Sequence, residues 1–343
     1  MNSNKDVTIY DIATAVNVSP ATVSRALKDH PGIRNETKRK IREAAQKMGY
    51  RHNTFASNLR RKQTNTIGVI VPRLNSYFMA TVIGGMEKVA NITGYNLLIT
   101  QSLDSVKKEE AGVNIMFNSR ADGLLVSLAN DTIATDHFDT ILRKSIPLIF
   151  FDRVVDLPNC TSIVIDNKKA GYDATLHLIN GGCKRIVHIC GSLHRNVYAD
   201  RLDGYKQALA RKGIPFDPAL IINSNLSDQG GAESARQILK MDELPDGVFA
   251  SNDTTAVACI RELKQAGITV PDQISIVGFN NDPISKVIEP NLTTIHYPGE
   301  EMGEVAASTL INRLKNLPTP SPNTIVLKHE LIIRQSSMRK NNH

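Results

Sequence analysis

Arg25, Lys28 and the small residue Ala21 are spaced to project from one face of a short helix. That combination suits hydrogen bonding to nucleic acid, because a guanidinium pairs bidentately with guanine and small neighbours keep the face open. A second set of polar residues follows apolar runs: Asp152-Arg153, Asp166-Asn167, Asn252-Asp253 and Asn280-Asn281-Asp282. Such groups beyond strand ends can hold a small ligand, and they equally cap helices and make turns. Asp166 and Asp253 fit the capping role at least as well. Chemistry of other kinds finds no support. Ile67–Val71 runs into PRLNSYF rather than a G-x-G-x-x-G turn, no P-loop occurs, and no nucleophile stands with a base. Cys160, Cys183, Cys190 and Cys259 form no C-x-x-C pair, and the nine histidines make no metal signature. The chain therefore reads as a binding protein without a cofactor.

The elements that carry the basic face are written in Thr8–Leu27. Ile9, Ile12, Ala13 and Val16 keep the spacing of one buried helical face. Thr8 stands at the N-cap position with Asp11 three residues on, an acidic capping box. Val16-Asn17-Val18 turns the chain, Ser19 caps a second helix, and Pro20 takes its first turn. Val18 and Val23 have the spacing of a hydrophobic staple, and Val23 and Leu27 face inward. A third helix is expected from Glu36 to Met48, capped by Asn35 and stopped by Gly49, with Lys38, Arg39, Lys40 and Arg42 on its outer surface. Three helices in some fifty residues make a minimal compact domain.

Charge follows the same division. Residues 1–66 hold 13 Lys/Arg and five Asp/Glu, while the remaining 277 hold 28 and 29, so the formal +7 of the chain lies in its first fifth. That is a local footprint for phosphates. No amphipathic or apolar anchor accompanies it, no apolar run reaches a membrane span, and Met1–Asp6 does not read as a leader, so a cytoplasmic protein without a membrane partner is expected. The basic segment Arg51–Thr66 contains one helix-compatible piece, Asn53–Arg60, too short to fold alone. Leu59 beside Arg60, Arg61 and Lys62 suits an apolar wedge flanked by phosphate contacts, and a plain linker is the other reading.

From Ile67 the pattern alternates. Apolar strand candidates are Ile67–Val71, Asn96–Thr100, Gly123–Leu128, Pro147–Phe151, Ser162–Ile165, Ile186–Cys190, Gly247–Ala250, Ile274–Gly278, Thr294–Tyr297 and Ile325–Ile333, with helices between most of them. This is the signature of parallel sheets covered on both faces. The strands exceed one comfortable sheet, so two doubly wound parallel-sheet lobes are expected, with a ligand cleft between them.

With these residues in view, the chain resembles the lactose-repressor (LacI/GalR) family of bacterial transcription regulators. The resemblance runs from Thr8 to Arg334 through TIYDIATAVNVSPATVSRAL, KMGY, ASNL, IGVIVP, ADGLLV, IPLIFFDR, VIDN, RLDGY, FASND, ISIVGFNND and LTTI, in order and at matching spacing. It implies a helix-turn-helix headpiece on a periplasmic-binding-protein-like core. Ser19, Thr22 and Arg25, with Pro20 and Ala21 as the variable reading pair, match the family's major-groove helix, and Ile9 and Tyr10 match residues near the DNA backbone and bases. In the hinge, Asn53, Ala56 and Leu59 match the minor-groove element. In the core, Tyr77 and Phe78 match a pocket wall, Asp152, Arg201, Asp253 and Asn280 match polar effector contacts, and Arg195 and Leu226 are weaker candidates. The departures are His52 where a proline is usual before the hinge Asn, and Asn280 where the family often has Asp. The latter makes the pocket less negative, which suits sugar hydroxyls and favours an acidic or phosphorylated sugar.

The expected organisation is a DNA-binding domain at 1–50, a hinge at 51–66 and a core at 67–338. The N-lobe is placed at about 67–164 and 293–323, the C-lobe at about 165–291 and 324–338, with crossovers near Val164, Leu292 and Asn323. The expected function is a homodimeric repressor that binds near-palindromic operator DNA under control of a small metabolite, most simply a sugar or sugar derivative. A nucleobase- or corepressor-responsive regulator is the alternative, and a solute-binding protein without DNA function a remote one. The tail QSSMRKNNH has no heptads for a tetramerising coil.

Overall fold

The computed structural model describes residues 7–50, 63–318 and 324–339. The chain divides into two compact units, one up to Thr64 and the other from Asn65.

The first unit holds α1 (Ile9–Ala15), α2 (Pro20–Leu27) and α3 (Asn35–Lys47). The Thr8–Asp11 capping box is formed in both directions, and Ser19 Oγ accepts from the Thr22 amide at 3.2 Å. Ile12, Ala13, Val23, Ala26, Ile41 and Ala45 make the core, and Ile9, Val16, Val18 and Leu27 pack at its edge. Two details differ from expectation. Asn35 is the first residue of α3 rather than its cap; Arg34 holds the cap position in an extended conformation, with no side-chain cap bond. Lys38 is not on the outer surface: it is buried, with Nζ 3.1 Å from both the carbonyl and the carboxylate of Asp29.

The second unit has two parallel sheets covered by helices. In the first, β1 (Thr66–Val71), β2 (Asn96–Gln101), β3 (Gly123–Val126), β4 (Leu148–Phe151), β5 (Thr161–Ile165) and β11 (Thr324–Leu327) lie in the order β11-β5-β4-β3-β1-β2. Its helices are α4 (Tyr77–Thr93), α5 (Val106–Asn118), α6 (Asp139–Arg143) and α11 (Gly299–Leu314). In the second, β6 (Ile186–Cys190), β7 (Ile221–Asn223), β8 (Gly247–Ala250), β9 (Ser275–Asn280), β10 (Thr293–His296) and β12 (Glu330–Ile332) lie in the order β12-β10-β9-β8-β6-β7. Here α7 (Asn167–Asn180), α8 (Asn196–Arg211), α9 (Asp228–Ile238) and α10 (Asp253–Gln265) cover the faces. All pairings are parallel except β10 with β12. The central strands are buried on both faces, which is why they read as continuous apolar runs.

The crossovers lie later than expected. Residues 293–296 belong to the C-lobe sheet, because β10 pairs with β9, and residues 324–327 belong to the N-lobe sheet, because β11 pairs with β5. The lobes are therefore joined after Ile165, through Tyr297-Pro298 and through Lys328-His329. The single strand expected at Ile325–Ile333 is two strands, one in each lobe.

One close approach positions the cleft. A Cβ on Gly171 of α7 would lie 2.4 Å from the carbonyl oxygen of Arg201 on α8, and one on Gly204 would lie 2.0 Å from that of Lys168. Only glycines let these helices meet, and their contact fixes where Arg201 enters the sheet end.

Candidate functional site

On the headpiece, α2 offers a polar ridge above an apolar back. Val23 and Ala26 are buried, Ser19, Ala21 and Arg25 are exposed, and Pro20 and Thr22 are half-buried. The Ser19 and Thr22 hydroxyls lie 2.9 Å apart in a hydrogen bond, so the ridge is internally braced. Tyr10 stands out from α1 with 67 % of its surface exposed, whereas Ile9 lies half-buried against the core. The cations of α3 are largely engaged: Lys38 and Arg42 hold Asp29, Lys40 pairs with Glu36, and Arg39 approaches Glu43. Hydrogen bonding and charge from Lys38 and Arg42 lower the Asp29 carboxyl, and Lys40 lowers that of Glu36. Arg25 and Lys28 enter no ion pair among the described residues, which leaves α2 the more available basic face. Asn53, Ala56 and Leu59 lie outside the described residues.

In the core, the carboxyl ends of both sheets face a cleft of ≈ 520 Å³. The N-terminal turns of α4, α8, α9 and α10 open onto it. Of the residues expected there, Tyr77, Phe78, Asp152, Arg201, Leu226 and Asn280 line it. Phe78 stacks on Tyr297 at 4.3 Å between ring centres, giving an apolar wall. The Arg201 guanidinium lies 3.5 Å over the Phe279 ring, with Nε donating to Asn167 at 2.9 Å and Nη1 to the Ser251 carbonyl at 3.0 Å. Three of its five N–H donors, two of them on Nη2, remain. Asp152 adopts a left-handed backbone (φ 58°), accepting from Tyr297 at 3.0 Å and Ser127 at 3.3 Å. Burial raises its carboxyl, against the pull of Arg153 and Arg201.

Arg195 and Asp253 are turned away from the cleft. Arg195 is buried at the cap of α8, with Nη2 on the carbonyl of Thr132. Asp253 is fully buried, accepting from the Thr294 hydroxyl and the Asp282 amide, each at 2.7 Å. Burial pushes its carboxyl up to about 8, so it is largely a neutral acid at pH 7 that braces the turn after β9. Neither residue lines the cleft described above: the Asp253 carboxyl is taken up by Thr294 and Asp282, whereas Arg195 keeps a buried Nε without a partner.

The sequence reading missed a charge chain at the cleft mouth. Arg73 Nε donates to Asp104 at 2.7 Å, Arg153 Nη1 to the other Asp104 oxygen at 2.5 Å, and Arg153 Nη2 to the Tyr198 hydroxyl at 3.1 Å. Burial opposes the charge of Arg153, but Tyr198, Asp104 and Asp152 outweigh it and raise its pKa. Asp104 follows β2 as Asp152 follows β4, so the strand-end signal was available. Tyr198 sits in the first turn of α8, which starts at Asn196, and no strand-end pattern marks that turn. The Asn130 Oδ1, Ser251 Oγ and Asp282 Oδ1 atoms, all on residues lining the cleft, are buried without a hydrogen-bond partner. Among the described residues no group of three His, Cys, Asp or Glu side chains could hold a metal ion.

Besides the Arg195–Thr132 bond, further hydrogen bonds cross between the lobes beside the cleft. Asn196 donates to the Asp152 carbonyl at 3.2 Å and accepts from the Val154 amide at 3.0 Å, and Arg153 reaches Tyr198.

Comparison with known proteins bears on both units. Residues 8–53 match bacterial regulatory proteins of the lacI family, and residues 175–337 match a periplasmic binding protein-like domain. The chain is 31 % identical over 333 residues to catabolite control protein A of Priestia megaterium, covering 97 % of this chain and 99 % of that protein. It is 33 % identical over 333 residues to the transcriptional regulator RegA of Clostridium saccharobutylicum, covering 96 % and 99 %. Among solved structures, the lac repressor dimer bound to operator and the anti-inducer ONPF has the same fold, with a TM-score of 0.86, 23 % identity, and coverage of 97 % of this chain and 100 % of that one.

Proposed function

This chain belongs to the lacI family of bacterial regulatory proteins, a DNA-binding transcription regulator with an effector-binding core, and from that premise we propose that its effector is a sugar or sugar derivative held between the lobes. Two chains would form a homodimer, with the two copies of α2 reading the halves of a near-palindromic operator in the cytoplasm. Arg25 and Ala21 supply base contacts, with Ser19, Pro20 and Thr22 completing the reading face and Ile9 and Tyr10 beside it. Asn53, Ala56 and Leu59 are assigned to the hinge, with Leu59 as a minor-groove wedge.

The observation that carries the effector reading is the set of orphaned polar atoms around the cleft. Asn130 comes from the N-lobe and Ser251 from the C-lobe, and each buried atom lacks the partner that a folded protein normally provides. A polyhydroxyl ligand supplies both donors and acceptors, and its apolar ring face suits the Phe78–Tyr297 wall. Arg73, Arg153 and Arg201 stand against Asp104 and Asp152, so the cleft accepts neutral sugars and tolerates an acidic or phosphorylated one. Tyr77, Leu226 and Asn280 shape its sides. Ligand contacts made to both lobes favour one lobe arrangement, and an operator-affinity coupling of about 1–3 kcal/mol would suffice for regulation.

The test is a thermal-shift screen of the full chain against sugars, sugar phosphates, uronates and nucleobases. A sugar or sugar derivative is expected to raise the unfolding temperature. A shift with nucleobases alone would replace the sugar assignment.

A further inference from the structure

A second cavity of ≈ 490 Å³ adjoins the cleft and shares Tyr77, Phe78, Asn280, Asp282 and Tyr297 with it. It runs past the Tyr297-Pro298 crossover onto the first turns of α11. None of the three cleft arginines lines it. The titratable groups that do are Asp282, Glu300, Glu301 and Glu304, opposed by Lys286 and His296, with Tyr77 and Tyr297 in the wall. From α4, Lys88 reaches Glu304 at 2.6 Å and Glu300 at 3.3 Å, which partly neutralises that pair. The carboxylates remain in excess at Asp282 and Glu301.

Asp282 is the unusual member. It is only 8 % exposed, and its Oδ1 has no hydrogen-bond partner. It occupies the cap position of the 3-10 helix Pro283–Lys286 without making a side-chain cap bond. Its backbone is fixed from both sides, by its amide on Asp253 at 2.7 Å and by the Ser285 hydroxyl on its carbonyl at 2.6 Å. Successive left-handed residues Asn280 (φ 110°) and Asn281 (φ 60°) bring it to this place, and Arg334 holds the Asn281 side chain at 2.6 Å. The carboxyl is therefore held at the common wall of both cavities with an acceptor unused.

We propose that the second cavity binds the primary ammonium group of a small organic amine, which donates to Asp282 Oδ1, with Glu301 at the mouth and the aromatic wall of Tyr77, Phe78 and Tyr297 alongside. A cation gains a charge-assisted hydrogen bond there and attraction to ring faces, whereas a neutral hydroxyl gains only an ordinary hydrogen bond and an anion meets the excess carboxylates. This site goes beyond the effector cleft, because it extends onto the first turns of α11, where none of the three cleft arginines lines it.

The test is isothermal titration of the full-length protein with putrescine and, in parallel, with 1,4-butanediol, its uncharged counterpart. Putrescine is expected to bind one site per chain and butanediol not to bind. Asp282→Asn is expected to weaken putrescine about tenfold. The exposed substitution Glu301→Gln, which leaves the core untouched, is expected to weaken it about threefold. Glu110→Gln, on the surface of α5, is expected to change nothing. Equal binding of diamine and diol, no heat with putrescine, unchanged affinity in Asp282→Asn, or an equal loss in Glu110→Gln would each overturn the proposal. Sugar binding in the cleft is read by a separate ligand, so failure here leaves that reading standing.

Discussion

The headpiece and the cleft use arginine in opposite ways. Arg25 stands in water on α2 with no ion-pair partner among the described residues, above a core of six buried residues. Arg201 is buried at the end of a sheet, stacked on Phe279 and hydrogen-bonded to Asn167 and Ser251. An exposed guanidinium is screened by salt and keeps its rotamer freedom, so it can search a polyanion and settle on a base edge. A buried one has lost its water, so its position and the direction of its remaining donors are set by the protein. On the proposed function, the mobile charge serves DNA and the fixed charge a small molecule.

Substitution of each arginine sharpens that contrast. Arg201→Ala is expected to show the largest effect. It leaves the Asn167 and Ser251 acceptors and the Asp152 carboxylate without their cation, costing about 3–5 kcal/mol of core stability. Urea unfolding reads that loss, and the variant is expected to give no thermal shift with any sugar that stabilises the wild type. A stability change under 1 kcal/mol with an intact ligand shift would show that Arg201 is not the fixed charge described here. Arg25→Ala is expected to cost about 1–3 kcal/mol of operator affinity and to relax base preference at one position, with urea unfolding unchanged. A uniform loss across all DNA sequences would make Arg25 a phosphate contact instead.

A third substitution, at Asp253, is read only through pH. Burial pushes its folded carboxyl up to about 8, well above the ordinary carboxylate range. A folded-state pKa raised above the unfolded one gives stability that is full below about pH 4 and is lost as pH rises through 8. Asp253→Asn keeps a neutral side chain that both donates and accepts, so the loss between pH 5 and 8 is expected to shrink by on the order of 1–3 kcal/mol. Urea midpoints at the two pH values check it, and an unaltered slope would mean that Asp253 is ionised in the folded core.

The same contrast explains what the amino-acid order reveals. The caps at Thr8 and Ser19, the staple of Val18 and Val23 and the buried face of α1 are interactions over three to five residues, so each is visible locally. The central strands were equally plain, because burial on both faces leaves an unbroken apolar run. The crossovers were not. Lys328-His329 alone separates β11 from β12, and only pairing with strands far away assigns them to different lobes. Asp253 and Asp152 look alike as polar residues after strands. One is consumed by Thr294 and Asp282 and the other faces the cleft, and partners more than twenty residues away decide which. The three-residue strand β7 and the helix α5 lacked a periodic signal strong enough to be placed.

The most direct measurement is operator affinity of the full-length protein with and without a saturating sugar chosen by the thermal-shift screen, followed by fluorescence anisotropy on a labelled near-palindromic duplex. A coupling of about 1–3 kcal/mol predicts a change of roughly 5- to 150-fold, abolished in Arg201→Ala, while that variant still binds the duplex when no sugar is present. The same affinity with the sugar bound and absent would contradict the account, because the cleft would then hold a ligand without governing the DNA-reading face.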